Sequence, residues 1–330
     1  RSAGSAADGT SMSTRPPIVV VAGPTASGKT AAALTLARAL DGELVGADSV
    51  QVYRGFDVGS AKPTRDELGA IPHHLIDVID PDGFIDAVIY AELADAAIDA
   101  IHARGRLPIV VGGTGLWIRA LVRGLLDVPP PDPTIRAALE AEVATLGAPA
   151  MHSRLRALDP LAADAIHPND AFRIVRALEI HAQTGRPAGE LRAEHALGIP
   201  RAPTFFVTLE VPPDVLQPRI DARLTAMLGA GFADEVRRLL ERWPRTTRAF
   251  GSVGYKEMVA HVLDGVPLDE TLAAMRKSTR VYARRQRTWF AREPRVDRHP
   301  HGVDWRGDAT RLVSPETIAA IRAWHATLSP

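Results

Sequence analysis

The chain has no cysteine, which excludes disulfide bonds, thiolate metal sites and cysteine nucleophiles. It has no net charge either, 39 Lys and Arg balancing 39 Asp and Glu. Alone, that balance weighs against a nucleic-acid partner, because phosphate binding leaves an electropositive footprint. No apolar run approaches the ~18 residues that span a bilayer. Arg1 to Thr14 are small and polar without the apolar stretch of a secretory signal; they read as a disordered lead-in or tag remnant, with Met12 as the native start. There is no internal repeat and no low-complexity tract. These absences point to an intracellular, cytoplasmic protein with no membrane association, and a monomer is the default. At 330 residues the chain suits one large domain or two linked ones.

What is present is concentrated in Gly23-Pro24-Thr25-Ala26-Ser27-Gly28-Lys29-Thr30. This fits G-x-x-x-x-G-K-S/T, a glycine-bounded loop whose backbone N–H groups wrap a phosphate chain. Pro17 to Ala22 reads as a buried strand entering it and Thr30 to Leu40 as the helix leaving it. The helix N-terminus adds partial positive charge, Lys29 a full one, and Thr30 a hydroxyl for Mg²⁺. The loop does not say which phosphate it holds.

Strand and helix signals alternate through the first 115 residues: Glu43 to Ala47, a weaker strand at His74 to Ile79, a helix from Ile85 to Arg104, and Leu107 to Val111 running into Gly112-Gly113-Thr114-Gly115. Such alternation predicts an α/β fold, a P-loop NTPase-like parallel sheet flanked by helices. Ligands in such sheets sit at the carboxyl ends of the strands, where the P-loop, Asp48 and Thr114 all fall. After the stiff break Val128 to Pro133 the pattern turns helical (Thr134 to Leu146, His152 to Leu158, Ala171 to Thr184), and Thr204 to Val211 restores a strand. The middle therefore reads as a helical insertion domain at 121–202 within a core of 15–120 plus 203–300. Helices are expected over Asp214 to Arg242 and Leu268 to Phe290, then a loosely packed tail at 301–330.

Asp48 has two compatible readings: the N-cap of a following helix, or a carboxylate beside the phosphate able to take a proton or approach Mg²⁺. A hydrolytic P-loop protein often carries an acid where Gly112-Gly113-Thr114-Gly115 stands; none is here, with Asp77 and Asp80 as the candidate substitutes, which favours a transferase over a motor or switch ATPase. His73 and His74 are adjacent and lack metal-ligand spacing. Between Arg276 and Arg298 nine Lys and Arg face only Glu293 and Asp297. Lys277, Arg280, Arg284 and Arg287 share one helical face, suited to solvent or to a polynucleotide backbone, while Tyr282, Gln286 and Trp289 share another. Arg219 and Arg223 lie four apart, suited to phosphate or to intrahelical pairing.

Taken in order, the P-loop, Ala47-Asp48-Ser49-Val50-Gln51-Val52-Tyr53, Gly59-Ser60-Ala61-Lys62-Pro63, Pro72-His73-His74, Val111 to Leu116, Ile166-His167-Pro168-Asn169-Asp170, Gly251-Ser252-Val253-Gly254-Tyr255-Lys256 and Arg284 to Phe290 resemble the tRNA dimethylallyltransferases, or tRNA isopentenyltransferases, from about Pro17 to Asp297. The resemblance implies transfer of a dimethylallyl group from dimethylallyl diphosphate to N6 of the adenosine beside the anticodon. Asp48 is then the base, and Gly23 to Thr30 hold the diphosphate with Mg²⁺ on Thr30. Thr25 stands near the reacting centre, and Arg219 or Arg223 completes the clamp. It further implies tRNA contacts at Asp48, Ser49, Val50, Gln51, Thr114, Arg136, Phe172, Arg173, Ile174, Val175 and Arg176. In that picture Arg136, Arg173 and Arg176 hold phosphates, Phe172 stacks on a base, and the insertion grips the anticodon stem-loop.

Three other readings compete. A P-loop small-molecule kinase shares the loop and sheet but leaves the insertion and the basic helix without a role. An isopentenyltransferase acting on free adenine nucleotides needs no long insertion. A nucleotide-gated RNA-binding module has no use for Asp48 beside the P-loop.

Overall fold

The protein is described from a computed structural model covering residues 15–69, 71–195, 200–297 and 302–328; the expected lead-in lies outside the described residues. The chain divides into two compact units, Arg1–Gly124 with Gly198–Pro330, and Leu125–Leu197.

Among the described residues the first unit is built on six strands: β1 (Ile18–Ala22), β2 (Gly42–Ala47), β3 (His73–His74), β4 (Leu107–Gly112), β5 (Thr204–Leu209) and β6 (Val303–Gly307). They form one parallel sheet in the order β3-β2-β4-β1-β5-β6. Runs such as Ile18-Val19-Val20-Val21 are buried along their whole length because helices cover both faces, as parallel sheets require. From β1 the chain builds β2, β3 and β4 on one side, then crosses to β5 and β6 on the other. The carboxyl end of β1 thus opens between β4 and β5, the crevice where such sheets bind ligands.

The helices of the chain are α1 (Lys29–Leu40), α2 (Arg65–Leu68), α3 (Ala87–Ala103), α4 (Gly115–Arg123), α5 (Pro133–Leu146), α6 (Ala148–Leu158), α7 (Pro160–Ala165), α8 (Ala171–Thr184), α9 (Ala188–Glu194), α10 (Pro213–Gly229), α11 (Phe232–Leu240), α12 (Tyr255–Asp264), α13 (Leu268–Arg292), α14 (Ala309–Leu312) and α15 (Pro315–Ala326). No described helix is long and apolar enough to cross a membrane. On one sheet face α1, α14 and α15 pack over Val19, Leu44, Ile109 and Phe205. On the other, Tyr90 of α3 stacks on Trp117 of α4 with ring centroids 4.5 Å apart.

Several expectations are corrected. The carboxy-terminal segment is no loose tail: β6 pairs with β5 from Phe205 to Leu209, and Trp324 of α15 meets Phe205 edge-on at 5.6 Å. Its alternating polar sequence, Val303-Asp304-Trp305-Arg306-Gly307, is that of a half-buried edge strand. The weak third strand reduces to His73–His74, with a single bridge from Ile79 to Tyr53. The helices expected over Asp214 to Arg242 are α10 and α11, separated at Ala230 and Gly231. No helix follows Asp48; a series of turns does.

The second unit holds α5 to α9 around Leu139, Met151, Leu155, Ile174, Leu178 and Ile180. Aspartates start three of its helices: Asp132, Asp159 and Asp170 each accept backbone N–H groups of the first turn, relieving donors that a helix cannot satisfy itself.

Candidate active site

The site gathers at the carboxyl ends of β1, β2 and β4. Two strand ends are pressed together there because residue 112 is glycine: a Cβ at Gly112 would stand 2.0 Å from the Ala47 carbonyl oxygen. That approach lets Thr114 N–H donate to Ala47 O (3.1 Å) and Ser49 N–H donate to Thr114 Oγ1 (3.0 Å). Between them stands Asp48, whose Oδ1 accepts from the N–H groups of Val50 (2.9 Å) and Gln51 (3.3 Å). These are the bonds of a cap made without a helix, and they fix the carboxylate's direction.

Across from Asp48 lies the P-loop. Lys29 Nζ donates to Pro24 O at 3.3 Å. Burial pulls its pKa down to about 8, and nearby Arg223 adds to this while Asp48 opposes it. Thr25 is held at both ends. Its N–H donates to Gln286 Oε1 (2.8 Å), its hydroxyl accepts from Arg223 Nη1 (3.1 Å), and Gln286 Nε2 donates in turn to Gly113 O (2.9 Å). Burial lowers the pKa of Arg223, partly offset by Asp48.

Two cavities meet here. One of about 50 Å³ is lined by Lys29, Thr30, Gln51, His73 and Gln286. The other, of about 270 Å³, has apolar walls from Ile220, Leu224, Met227, Val253 and Met275. Thr25, Asp48, Ser60, Arg223 and Tyr282 line both. The smaller has the size and charge for phosphate, the larger suits a partly apolar group, and their junction puts a cation, a hydroxyl and a carboxylate around one point.

The oxygen donors in the smaller cavity fit Mg²⁺. Thr30 offers a hydroxyl and Asp48 one carboxylate, and Mg²⁺ characteristically takes one or two carboxylates and completes its shell with waters and substrate phosphates. Among the described residues no group of three His, Asp or Glu side chains forms a protein-only cage. The two adjacent histidines part company. His74 Nε2 lies 2.7 Å from Glu43 Oε2, whereas neither ring nitrogen of His73 has a protein partner. Burial, with His74 beside it, lowers the His73 pKa to about 4, so it faces the phosphate cavity as a neutral imidazole.

Of the two candidate arginines the fold brings only Arg223 to the site. Arg219 is exposed and lines neither cavity. Of the P-loop residues, Thr25, Lys29 and Thr30 line the phosphate cavity, while Pro24 faces a separate groove with Arg284 and Arg287.

In the second unit Glu179 is fully buried and accepts from both Arg136 (2.9 Å) and Arg176 (2.8 Å). Burial opposes its ionisation, but the two guanidiniums outweigh that and lower its pKa. Arg136 also lies over the Phe172 ring at 5.6 Å, and Phe172 is 71% exposed. Arg173 is exposed and pairs with Asp170. Ile174 and Val175, expected among the RNA contacts, are buried in the unit's core and present no side chain to a ligand. Arg136 and Arg176, expected as phosphate holders, each pair with Glu179.

The sequence matches the family described as IPP transferase over residues 51–293. The chain belongs to that family. It is 52% identical over 288 residues to a tRNA dimethylallyltransferase of Anaeromyxobacter dehalogenans, covering 87% of this chain and 92% of that one. Among solved structures, the full-length tRNA isopentenylpyrophosphate transferase of Bacillus halodurans matches with a TM-score of 0.67 and 36% identity, over 94% of this chain and 97% of that one. A eukaryotic dimethylallyltransferase acting on tRNA matches with a TM-score of 0.75 and 27% identity, over 93% of this chain and 77% of that one.

The IPP transferase match begins at Gln51, after the P-loop and Asp48, whereas the aligned relatives and solved structures span most of the chain, Asp48 included. Sequence reasoning did not single out Ser60, Tyr282 or Gln286 as site residues, yet all three line the cavities. The signal was available. Ser60 belongs to one of the family-like motifs, and Tyr282 and Gln286 share the helical face opposite the arginines.

Proposed function

We propose that this prenyltransferase moves a dimethylallyl group from dimethylallyl diphosphate to N6 of the adenosine beside the anticodon of tRNA, in the cytoplasm. The observation that carries the reading is the junction of the two cavities, where Asp48 faces the P-loop and Arg223 bonds Thr25.

The donor's diphosphate occupies the smaller cavity against the P-loop N–H groups and Lys29. As the allylic C–O bond breaks, its electron pair leaves with the diphosphate, and the charge growing there is met by Lys29 and Arg223. Thr30 would hold a Mg²⁺ ion here, and the ion would supply further neutralisation of the leaving group. The lone pair of N6 forms the new C–N bond, and Asp48 takes the N6 proton. An exocyclic adenine amine is a weak nucleophile because its lone pair is delocalised into the ring; proton removal during bond formation compensates. The apolar walls of the larger cavity exclude water from an electron-poor allylic carbon, which water would otherwise capture.

The base must leave the anticodon stack to reach this junction. On the second unit, Phe172 supplies an exposed ring for stacking and Arg173 an exposed charge for the backbone. Diphosphate release tests the reading: it should require dimethylallyl diphosphate and unmodified tRNA together, with ATP untouched. ATP consumed in the presence of a small acceptor, with no diphosphate from the allylic donor, would support the kinase instead.

A further inference from the structure

We propose that Glu235, on α11, is a positioning residue for the reaction: its buried carboxylate holds the turn 57–60 in the register that orients Gln51 and, through Gln51, Asp48. The inference rests on the reading of Asp48 as the base.

Glu235 is 3% exposed, and four donors converge on it. Oε2 accepts from the N–H groups of Asp57 (3.1 Å) and Val58 (2.6 Å), and Oε1 from Gly59 N–H (3.2 Å) and the Tyr255 hydroxyl (2.7 Å). Three successive backbone N–H groups pointing to one place form a concavity that ordinarily takes an anion, and here the protein supplies the anion from another helix. Burial and the Glu235 charge raise the Tyr255 pKa, so its phenol stays a donor. The turn is also pressed onto α11: a Cβ at Gly59 would stand 2.0 Å from the Phe232 ring. Phe232 meets Tyr255 edge-on at 5.0 Å, and Tyr255 lies 4.4 Å from Phe56, closing the wall behind the turn.

The other side of this turn belongs to the active site. Gly59 lines the larger cavity, and Ser60 lines both. The Ser60 and Ala61 carbonyls accept the two hydrogen bonds of the Gln51 side-chain amide (3.1 and 3.2 Å). Gln51 N–H is one of the two donors that fix Asp48 Oδ1. The path from Glu235 to Asp48 is thus one turn and one glutamine. No bond in it involves Lys29, Thr30 or Arg223. Removing the carboxylate leaves three part-buried N–H groups without their acceptor. The turn then relaxes, Gln51 loses its acceptors, and Asp48 loses half of what aims it. Lys29 and Arg223, whose charges hold the diphosphate, keep their places, so donor affinity should change little even though Gln51 and Ser60 also line the smaller cavity.

The test is steady-state kinetics of Glu235→Gln with tRNA and dimethylallyl diphosphate. The expected result is a fall in kcat between about tenfold and a hundredfold, the range for a displaced catalytic group, with the donor KM held within about twofold. Tyr255→Phe, which removes one donor and leaves the backbone clamp, should lower kcat about threefold with the same unchanged donor KM. Because the effect passes through Gln51, combining Glu235→Gln with Gln51→Ala should give a kcat within about twofold of the lower single variant. Wild-type kcat in Tyr255→Phe, effects that multiply in the double variant, or a donor KM rising in step with the loss of kcat would each overturn the assignment. If Glu235→Gln does not fold, Tyr255→Phe alone decides. Absence of wild-type turnover would instead count against the functional reading.

Discussion

Arg223 donates to the hydroxyl of Thr25 across 3.1 Å, although the two are 198 residues apart in the chain. The bond ties α10 to the P-loop and points a guanidinium at the junction of the two cavities. Arg223→Ala should therefore lower kcat by about 10²- to 10³-fold, the loss typical of one preorganised donor to a developing anion. Arg219→Ala should change kcat and donor KM by less than about twofold, because Arg219 lies outside both cavities. Steady-state kinetics of the pair checks both, and equal effects would contradict the assignment.

Asp48→Asn keeps an oxygen to accept from Val50 and Gln51 but removes the base. The expected loss in kcat is about 10²- to 10⁴-fold, with tRNA affinity largely preserved. Filter binding beside single-turnover kinetics separates the two effects.

Lys29 makes the pH dependence specific. Its folded pKa is about 8 against an ordinary 10.5. Donor kcat/KM, which reports the free enzyme, should fall as pH rises through about 8. The limb in kcat should lie higher, since bound diphosphate favours the ammonium. Stability moves the other way. Between pH 8 and 10.5 the unfolded chain binds the extra proton, so the ligand-free protein gains stability as pH rises through that window. Urea titrations across the window check the sign, and Lys29→Met should flatten the slope.

In the second unit, Glu179→Gln leaves Arg136 and Arg176 without their shared anion. Both guanidiniums keep part of their surface in solvent, so the loss should be about 1–3 kcal/mol, and denaturant unfolding should show it. Phe172→Ala should leave stability unchanged and weaken tRNA binding by about 1–3 kcal/mol, the worth of one base stack.

Much of this was legible before the structure, for local reasons. The strand before the P-loop is a continuous apolar run, Asp48 and Thr114 end neighbouring strands, and α8 starts after the capping Asp170 and stops at Gly185, as expected from Ala171 to Thr184. What was missed depends on partners remote in sequence. Spacing puts Arg219 and Arg223 on one helix but does not say which faces Thr25. The edge strand β6 carries no apolar run, and only its pairing with β5 reveals it. Periodicity groups Tyr282 and Gln286 apart from the arginines of α13, but the inward role of Gln286 follows from its contacts to Thr25 and Gly113, and that of Tyr282 from the two cavities it lines. Ile174 and Val175 belong to a segment that resembles an RNA contact, and only the structure shows that their side chains turn into the unit's core.

The most direct measurement is nucleoside mass spectrometry of unmodified tRNA after incubation with the wild-type protein, dimethylallyl diphosphate and Mg²⁺. The account predicts an adenosine carrying one dimethylallyl group on N6, in the position beside the anticodon, formed at least about 10²-fold more slowly with Asp48→Asn. An unaltered adenosine with the wild-type protein, or modification that persists undiminished in Asp48→Asn, would contradict it.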